Sequence, residues 1–292
     1  MKQKTQKQKT HWTHWASYII LFAALVVLVV TAAIGSKGQR QENFTSERKS
    51  NIWALSFGGG GQNYIDAVNR ITREFRTNTT QFDKIVAKTD ADLKQDPEFW
   101  PRHGKFIDAN TRGYGYWLWK PYLIMKTLEI MNDGDILFYV DSGCELLPNE
   151  NNDLEIKKLA KSCDKNLILY TMYIAGEEKQ YNKMDLVNTI ISDADQKTKV
   201  MNRKQNTATI IIMKKTDQTY EFASEWYSIC CKYSNIDDSP SREANDPSFI
   251  EHRHDQSVFS LLTKSGKYRE TMNTPGNKFD GHPFLLSRKR NG

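Results

Sequence analysis

Three short segments of this sequence hold residue types that could do chemistry together. The first runs Asp135-Ile136-Leu137-Phe138-Tyr139-Val140-Asp141-Ser142-Gly143-Cys144-Glu145. A carboxylate placed where a buried apolar strand surfaces is costly unless it caps a turn, pairs with a cation or binds a metal. Asp141 stands at that point, and Glu145 follows four residues later. Two hard oxygen donors on one loop suit Mg²⁺ or Mn²⁺, which would bridge the protein to a diphosphate. An Asx turn with no metal accounts equally well for Asp-Ser-Gly.

The second segment is Arg112-Gly113-Tyr114-Gly115-Tyr116-Trp117-Leu118-Trp119-Lys120-Pro121-Tyr122-Leu123, with five aromatic residues in nine positions. The glycines allow close backbone approach to a ligand, Arg112 can fork onto phosphate oxygens, and the rings offer stacking faces. The rival reading packs Trp117, Trp119 and Tyr122 into a core, which leaves Arg112 and Lys120 as cations in need of partners. The third segment, His252-Arg253-His254-Asp255-Gln256-Ser257, opens an apolar run. It could supply a metal ligand, a general base or a phosphate contact, or Asp255 could simply be a helix N-cap. The isolated His103 and His282 read as surface residues.

The elements that must position these segments alternate. Asn51 to Phe57 reads as a buried strand ending in Gly58 to Gly61. Ile65, Val68, Ile71 and Phe75 recur at helical spacing. Strands are expected at Phe82–Lys88, Ile136–Val140, Leu167–Met172 and Thr207–Met213. Helices are expected at Gly115–Met131, Leu154–Cys163, Tyr220–Lys232 and Asp255–Lys264. Such alternation predicts an α/β domain with a mainly parallel sheet flanked by helices, whose ligands lie beyond the carboxyl ends of the strands.

The chain has 292 residues, of which 41 are Lys or Arg and 35 are Asp or Glu. Lys2, Lys4, Lys7 and Lys9 supply four of the six net charges, so the remainder is only mildly basic and no nucleic-acid-binding surface is expected. From Trp15 to Ser36, 22 residues carry no charge, which at about 1.5 Å per residue is enough to cross a hydrocarbon core. The sequence thus predicts a basic tail at 1–14, one transmembrane signal anchor at 15–36, a stem at 37–50 and a globular domain at 51–292. A cleaved signal is the alternative, given the small residues around Gly35. Undiluted lysines in the tail favour a cytoplasmic amino terminus. Asn43-Phe44-Thr45 and Asn78-Thr79-Thr80 match the glycosylation acceptor pattern. Cys144, Cys163, Cys230 and Cys231 lack zinc-site spacing, and no GxSxG elbow, HExxH pair or GK[ST] ending occurs. Gly58–Gly61 is a weak phosphate cradle on its own.

Taken in order, the segments at 112–124, 135–146 and 254–262 resemble the GT-A type glycosyltransferases, which transfer sugars from nucleotide-diphospho-sugars. The resemblance covers about 51–292 and implies a GT-A-like (Rossmann-like) fold, a nucleotide-sugar donor and a glycan, glycoprotein or lipid acceptor. It gives Asp141 the first-acid role of the Asp-x-Asp motif, with Mn²⁺ or Mg²⁺ as cofactor. This chain has Gly143 where the second acid would stand, so Asp141 is expected to work with His254 or Glu145, or cations alone hold the donor. Donor-binding candidates are then Arg112, Tyr116, Lys120, Asp141, Ser142 and Gly143. Asp255 is the first candidate base, Glu145 the second, and Asp141 with His254 the candidate metal pair. The anchor–stem–domain plan is similar to that of type II Golgi or ER enzymes with lumenal catalytic domains. A different class stays open: a membrane-tethered carbohydrate- or nucleotide-sugar-binding protein that has lost catalysis.

Overall fold

The computed structural model describes residues 49–165, 168–170, 173–268, 272–273 and 283–290. The apolar window at 15–36, the stem, Asn43 and His282 lie outside the described residues. Among the described residues no helix is long and apolar enough to cross a membrane. Ser50–Gly292 forms one compact unit.

Its centre is a six-stranded sheet in the order β2-β1-β3-β7-β4-β8. The strands are β1 (Ile52–Gly58), β2 (Lys84–Thr89), β3 (Ile136–Val140), β4 (Ile168–Tyr170), β7 (Ile210–Lys214) and β8 (Met272–Asn273). β1 runs parallel to β2 and β3, and β4 runs parallel to β8. β7 alone is reversed, pairing antiparallel with both β3 and β4. The sheet is therefore mainly parallel, as expected, with one reversed strand that its apolar run could not reveal. A separate antiparallel pair joins β5 (Tyr173–Glu177) to β6 (Lys204–Asn206).

Successive strand side chains point to opposite faces, so each central strand feeds two cores. Leu55, Leu137, Tyr139, Ile211 and Met213 enter one core, with Phe99, Leu123, Trp226 and Phe259 from helices. Those residues come from α3 (Phe99–Ala109), α4 (Trp119–Ile130), α9 (Asp217–Cys230) and α10 (His254–Leu262). Ala54, Phe138, Val140 and Ile212 enter the other core, with Val68, Ile71 and Ile156. Those helical residues belong to α1 (Gln62–Thr77) and α5 (Asn152–Ser162). All five residues of β3 are buried, which a continuous apolar strand requires.

Two expectations are corrected. The helix predicted from Gly115 begins at Trp119, because Gly113 to Trp117 all have positive φ. His103 is fully buried, its ring nitrogens 2.9 and 2.7 Å from the hydroxyls of Tyr233 and Tyr227, and burial pushes its pKa down to about 4. At the Asn78 pattern, the side-chain amide donates to the Leu146 carbonyl at 2.6 Å and Thr80 is bonded to Asp153. Further helices lie at α2 (Asp90–Gln95), α3, α6 (Glu178–Tyr181), α7 (Met184–Ile190) and α8 (Ala194–Met201), outside the expected ranges.

Candidate functional site

The register Leu55↔Tyr139 brings the carboxyl ends of β1 and β3 out side by side. The reversed β7 starts at that same edge, and the Asp141 amide donates to the Thr209 carbonyl at 2.9 Å. A cavity of about 890 Å³ opens there, lined by the Gly58–Gly60 turn, Tyr64, Arg112–Tyr114, Trp117, Lys120, Asp141–Cys144 and Arg253–Gln256, among others. Close packing requires glycine in the first turn: a Cβ on Gly58 would lie 2.0 Å from the Tyr64 carbonyl oxygen, and Gly60 has φ +84°.

The three sequence segments meet at Lys120. Its Nζ lies 3.2 Å from Asp141 Oδ1 and 3.3 Å from Asp255 Oδ2, and it donates to the Ala208 carbonyl at 3.1 Å. Lys120 and Asp255 are each 3% exposed. Burial opposes the charge of Lys120, yet Asp141 and Asp255 together hold its pKa above the usual lysine value. For Asp255, burial raises the pKa, Lys120 pulls it back and Asp141 raises it again, leaving it at about 6. Tyr139 donates to Asp141 Oδ1 at 2.5 Å. Asp255 is not an N-cap, since Arg253 holds that position and makes no side-chain cap bond. The Asp255 carboxylate instead faces Lys120, and although Oδ2 is within ion-pair range it has no hydrogen-bond partner.

Gly113, Tyr114, Gly115, Tyr116 and Trp117 form a left-handed turn, with φ between 53° and 82°. It is closed by bonds from Tyr116 N to the Arg112 carbonyl and from Trp117 N to the Gly113 carbonyl. Left-handed backbone costs a non-glycine residue about 1–2 kcal/mol, so three such residues within five consecutive positions mark a held geometry. His254 is the next case, with φ 56°. The Tyr116 and Trp117 rings lie 5.0 and 5.4 Å from its imidazole. Its Nδ1 is 2.7 Å from the Ile236 carbonyl and so carries the proton, while buried Nε2 has no hydrogen-bond partner. Burial keeps this imidazole's pKa below its usual value. Tyr116 is thus placed against His254 and is not on the cavity lining, whereas Trp117 is on it. Arg112 lines the cavity but pairs with Asp238 at 3.1 Å and Glu251 at 3.6 Å. Trp119 and Tyr122 are buried in the core, as the packing reading expected.

Ser142 and Gly143 line the cavity, but Glu145 does not. The Glu145 carboxylate accepts from Lys289 Nζ at 2.9 Å, and its backbone pairs with Leu285. Hydrogen bonding to Lys289 holds its pKa below the usual glutamate range. That commitment removes it as second candidate base.

The residues at 284–290 escaped the sequence reading. They form a strap whose Lys289 amide donates to the Gly143 carbonyl at 2.9 Å, with Ser287 Oγ on the same oxygen at 3.1 Å. Arg288, Lys289 and Arg290 all line the cavity. Buried Arg70 joins strap to loop, reaching the carbonyls of Ser142 (2.8 Å), Cys144 (3.1 Å) and Lys289 (3.3 Å). Three consecutive cations at the end of an otherwise mixed-charge domain were the available signal.

The donor set present does not fit a divalent ion. Lys120 already puts a cation on Asp141, and the strap covers Gly143, where a Cβ would lie 3.4 Å from Arg288 Cα. Among the described residues no three His, Cys, Asp or Glu side chains are grouped to hold a metal. The expected pair Asp141 and His254 is thus one lysine-bound carboxylate and one imidazole. His254 Nε2, without a hydrogen-bond partner, and the Lys120-paired Asp255 Oδ2 are both hydrogen-bond acceptors, which suits ligand hydroxyls.

No family model matches the chain, and no curated protein sequence matches it. Solved structures with partial likeness include apo mouse xyloside xylosyltransferase 1, at 12% identity over 76% of this chain and 85% of that one, TM-score 0.41. Another is core-mannan synthase A from Aspergillus fumigatus in its Mn/GDP form, at 9% identity over 74% and 70%, TM-score 0.38. A third is the galactosyltransferase LgtC with donor and acceptor sugar analogs, at 10% identity over 72% and 70%, TM-score 0.35. Likeness at this level leaves the functional reading to the site's own chemistry.

Proposed function

We propose that the chain is a glycosyltransferase that moves a sugar from a nucleoside-diphosphate donor to a hydroxyl of a glycan, glycoprotein or lipid. The observation that carries this reading is Asp255: a buried carboxylate with a pKa of about 6, held by Lys120 at 3.3 Å, on a residue lining a cavity that His254 and a cationic strap also line. Beside it, the buried His254 Nε2 has no hydrogen-bond partner, a state that is costly in isolation and that a ligand bringing donors satisfies. Sugar and acceptor hydroxyls are such donors.

In the reaction, the acceptor hydroxyl gives its proton to Asp255 Oδ2 as its oxygen bonds to the anomeric carbon. The anomeric carbon–phosphate oxygen bond breaks, and its electron pair leaves with the diphosphate. With a pKa of about 6, Asp255 is ionised at neutral pH yet basic enough to take a proton. Lys120 keeps Asp255 and Asp141 together and stabilises the carboxylates, and His254 orients a hydroxyl through Nε2. The left-handed turn holds Trp117 and Tyr116 against His254. Asp255 acting as base corresponds to an inverting transfer.

The uncharged window at 15–36 supports the further reading that this domain is tethered to a membrane through an uncleaved anchor, in type II orientation with the domain in the Golgi or ER lumen. The test is release of nucleoside diphosphate from a panel of UDP- and GDP-sugars by the full chain, with and without Asp255→Asn. Turnover by the native chain that Asp255→Asn abolishes is the expected result. Binding of a donor without turnover would leave the sugar-binding reading, which the lysine-filled acid site also accommodates.

A further inference from the structure

Position 143 has a structural use that bears on how the site handles anionic charge. Its backbone carbonyl accepts both Lys289 N and Ser287 Oγ, so the 141–144 loop serves as the dock for the strap. The other end of the strap is anchored by Phe284, which is 1% exposed and packs edge-on against Phe75 at 6.3 Å. Between these anchors the chain takes a left-handed conformation at Arg288, φ 54°, an unfavourable state for arginine that the docking contacts must hold. The consequence is that Arg288 and Arg290 reach the cavity wall.

The cavity cations divide by their partners. Lys120 is held by Asp141 and Asp255, Arg112 by Asp238 and Glu251, Arg253 by Glu251, and Lys289 by Glu145. Among the described residues no acid is paired with Arg288 or Arg290; the Arg290 guanidinium lies 5.6 Å from the Tyr64 ring centre. Two guanidinium groups without acidic partners on one wall suit a ligand with two adjacent anionic groups, because each fork can take phosphate oxygens.

We infer that the strap is the diphosphate-binding element of the site, with Arg288 and Arg290 supplying the positive charge that a metal ion would otherwise bring. Arg70 is the positioning residue for it, because one buried guanidinium fixes the carbonyls of Ser142 and Cys144 on the loop and Lys289 on the strap. The nucleotide part of this inference rests on the glycosyltransferase reading; the anion site itself does not.

The experiment is titration calorimetry of the full chain with inorganic pyrophosphate in EDTA, then with UDP and GDP. The native chain should bind pyrophosphate without divalent metal, with affinity falling steeply as salt rises. Arg288→Gln/Arg290→Gln should weaken that binding at least tenfold and flatten the salt dependence. Arg70→Met should weaken it too, and Arg70→Lys should restore part of the loss while matching the native thermal transition more closely. Pyrophosphate binding that requires Mn²⁺, or that the double variant leaves unchanged, overturns the inference. Metal-free pyrophosphate binding in a chain that turns over no nucleotide sugar would uphold the strap and remove the transferase reading.

Discussion

Replacing Lys120 by methionine puts the centre of the site to its most direct test. Two carboxylates share this one ammonium at 3.2 and 3.3 Å, and the lysine is 3% exposed. At an effective dielectric of about 20, each pair is worth about 5 kcal/mol of attraction. Desolvation of the charges offsets much of that, so the measurable quantity is the cost of removing one partner, about 3–5 kcal/mol for a buried pair. Methionine keeps the side-chain bulk and leaves the Asp255 carboxylate buried without a cation. The variant relieves this by protonation. Asp255 already titrates at about 6, above its unfolded value of 3.8, and losing Lys120 raises the folded pKa further.

A folded-state pKa raised above the unfolded one means that the folded protein binds a proton that the unfolded chain does not. Lys120→Met stability therefore falls as pH rises from about 4 through the folded pKa, and the deficit against the native chain is larger at pH 8 than at pH 5. Urea denaturation at the two pH values measures it. Adding Asp255→Asn should recover most of the loss at pH 8, since Asp141 is part-exposed and can be solvated without its lysine. A Lys120→Met chain within about 1 kcal/mol of native stability at pH 8, or strict additivity with Asp255→Asn, would refute the reasoning.

Three other outcomes follow from the same geometry. Transfer should show a kcat/KM that falls below about pH 6, as Asp255 takes up its proton, with Asp255→Asn lowering turnover by about 10²–10⁴-fold at pH 7.5; a steady-state pH profile checks this. Gly115→Ala should destabilise the domain by about 1–3 kcal/mol, read in a urea melt, because φ is 82° and the new Cβ would lie 2.6 Å from Ile107 Cγ1. His103, held neutral with a pKa of about 4 against an ordinary 6.5, contributes stability that is present above pH 6.5 and fades as pH falls towards 4. That contribution is about 1–2 kcal/mol at pH 5, and His103→Gln should make the acid limb of the stability profile shallower.

The parts of this fold that were legible in the sequence are those where burial and period coincide. β3 is apolar at all five positions and lies in the middle of the sheet. α1 carries Val68, Ile71 and Phe75 on one stripe, and all three are buried. The helices at α2 and α6 to α8 are short and mixed in polarity, so tertiary contacts decide them, while α3 buries a stripe at Phe99, His103 and Ile107 that a proline and a histidine mask in the sequence. His103 shows the same limit at one residue: its neighbours in sequence are polar, while its neighbours in space are the hydroxyls of Tyr227 and Tyr233, more than a hundred positions away.

The site was legible for a different reason. Asp141, Lys120 and Asp255 each break a local rule, being charges at the edges of apolar runs, and such charges need partners. The sequence could name three charges but not their pairing, so the metal expected beside Asp141 is displaced by a lysine from another helix. Gly143 is the informative departure. A chain without a second acid there must compensate a diphosphate by other means, and the same glycine carbonyl that anchors the strap brings Arg288 and Arg290 to the cavity. Restoring an acid by Gly143→Asp would therefore not rebuild a metal site. Its side chain would meet the Arg288 backbone at van der Waals distance and draw the strap cations onto itself. The expected result is weaker pyrophosphate binding in EDTA that added Mn²⁺ does not rescue. Recovery by manganese would mean that the loop still has the geometry of a metal site and that the lysine is a lodger in it.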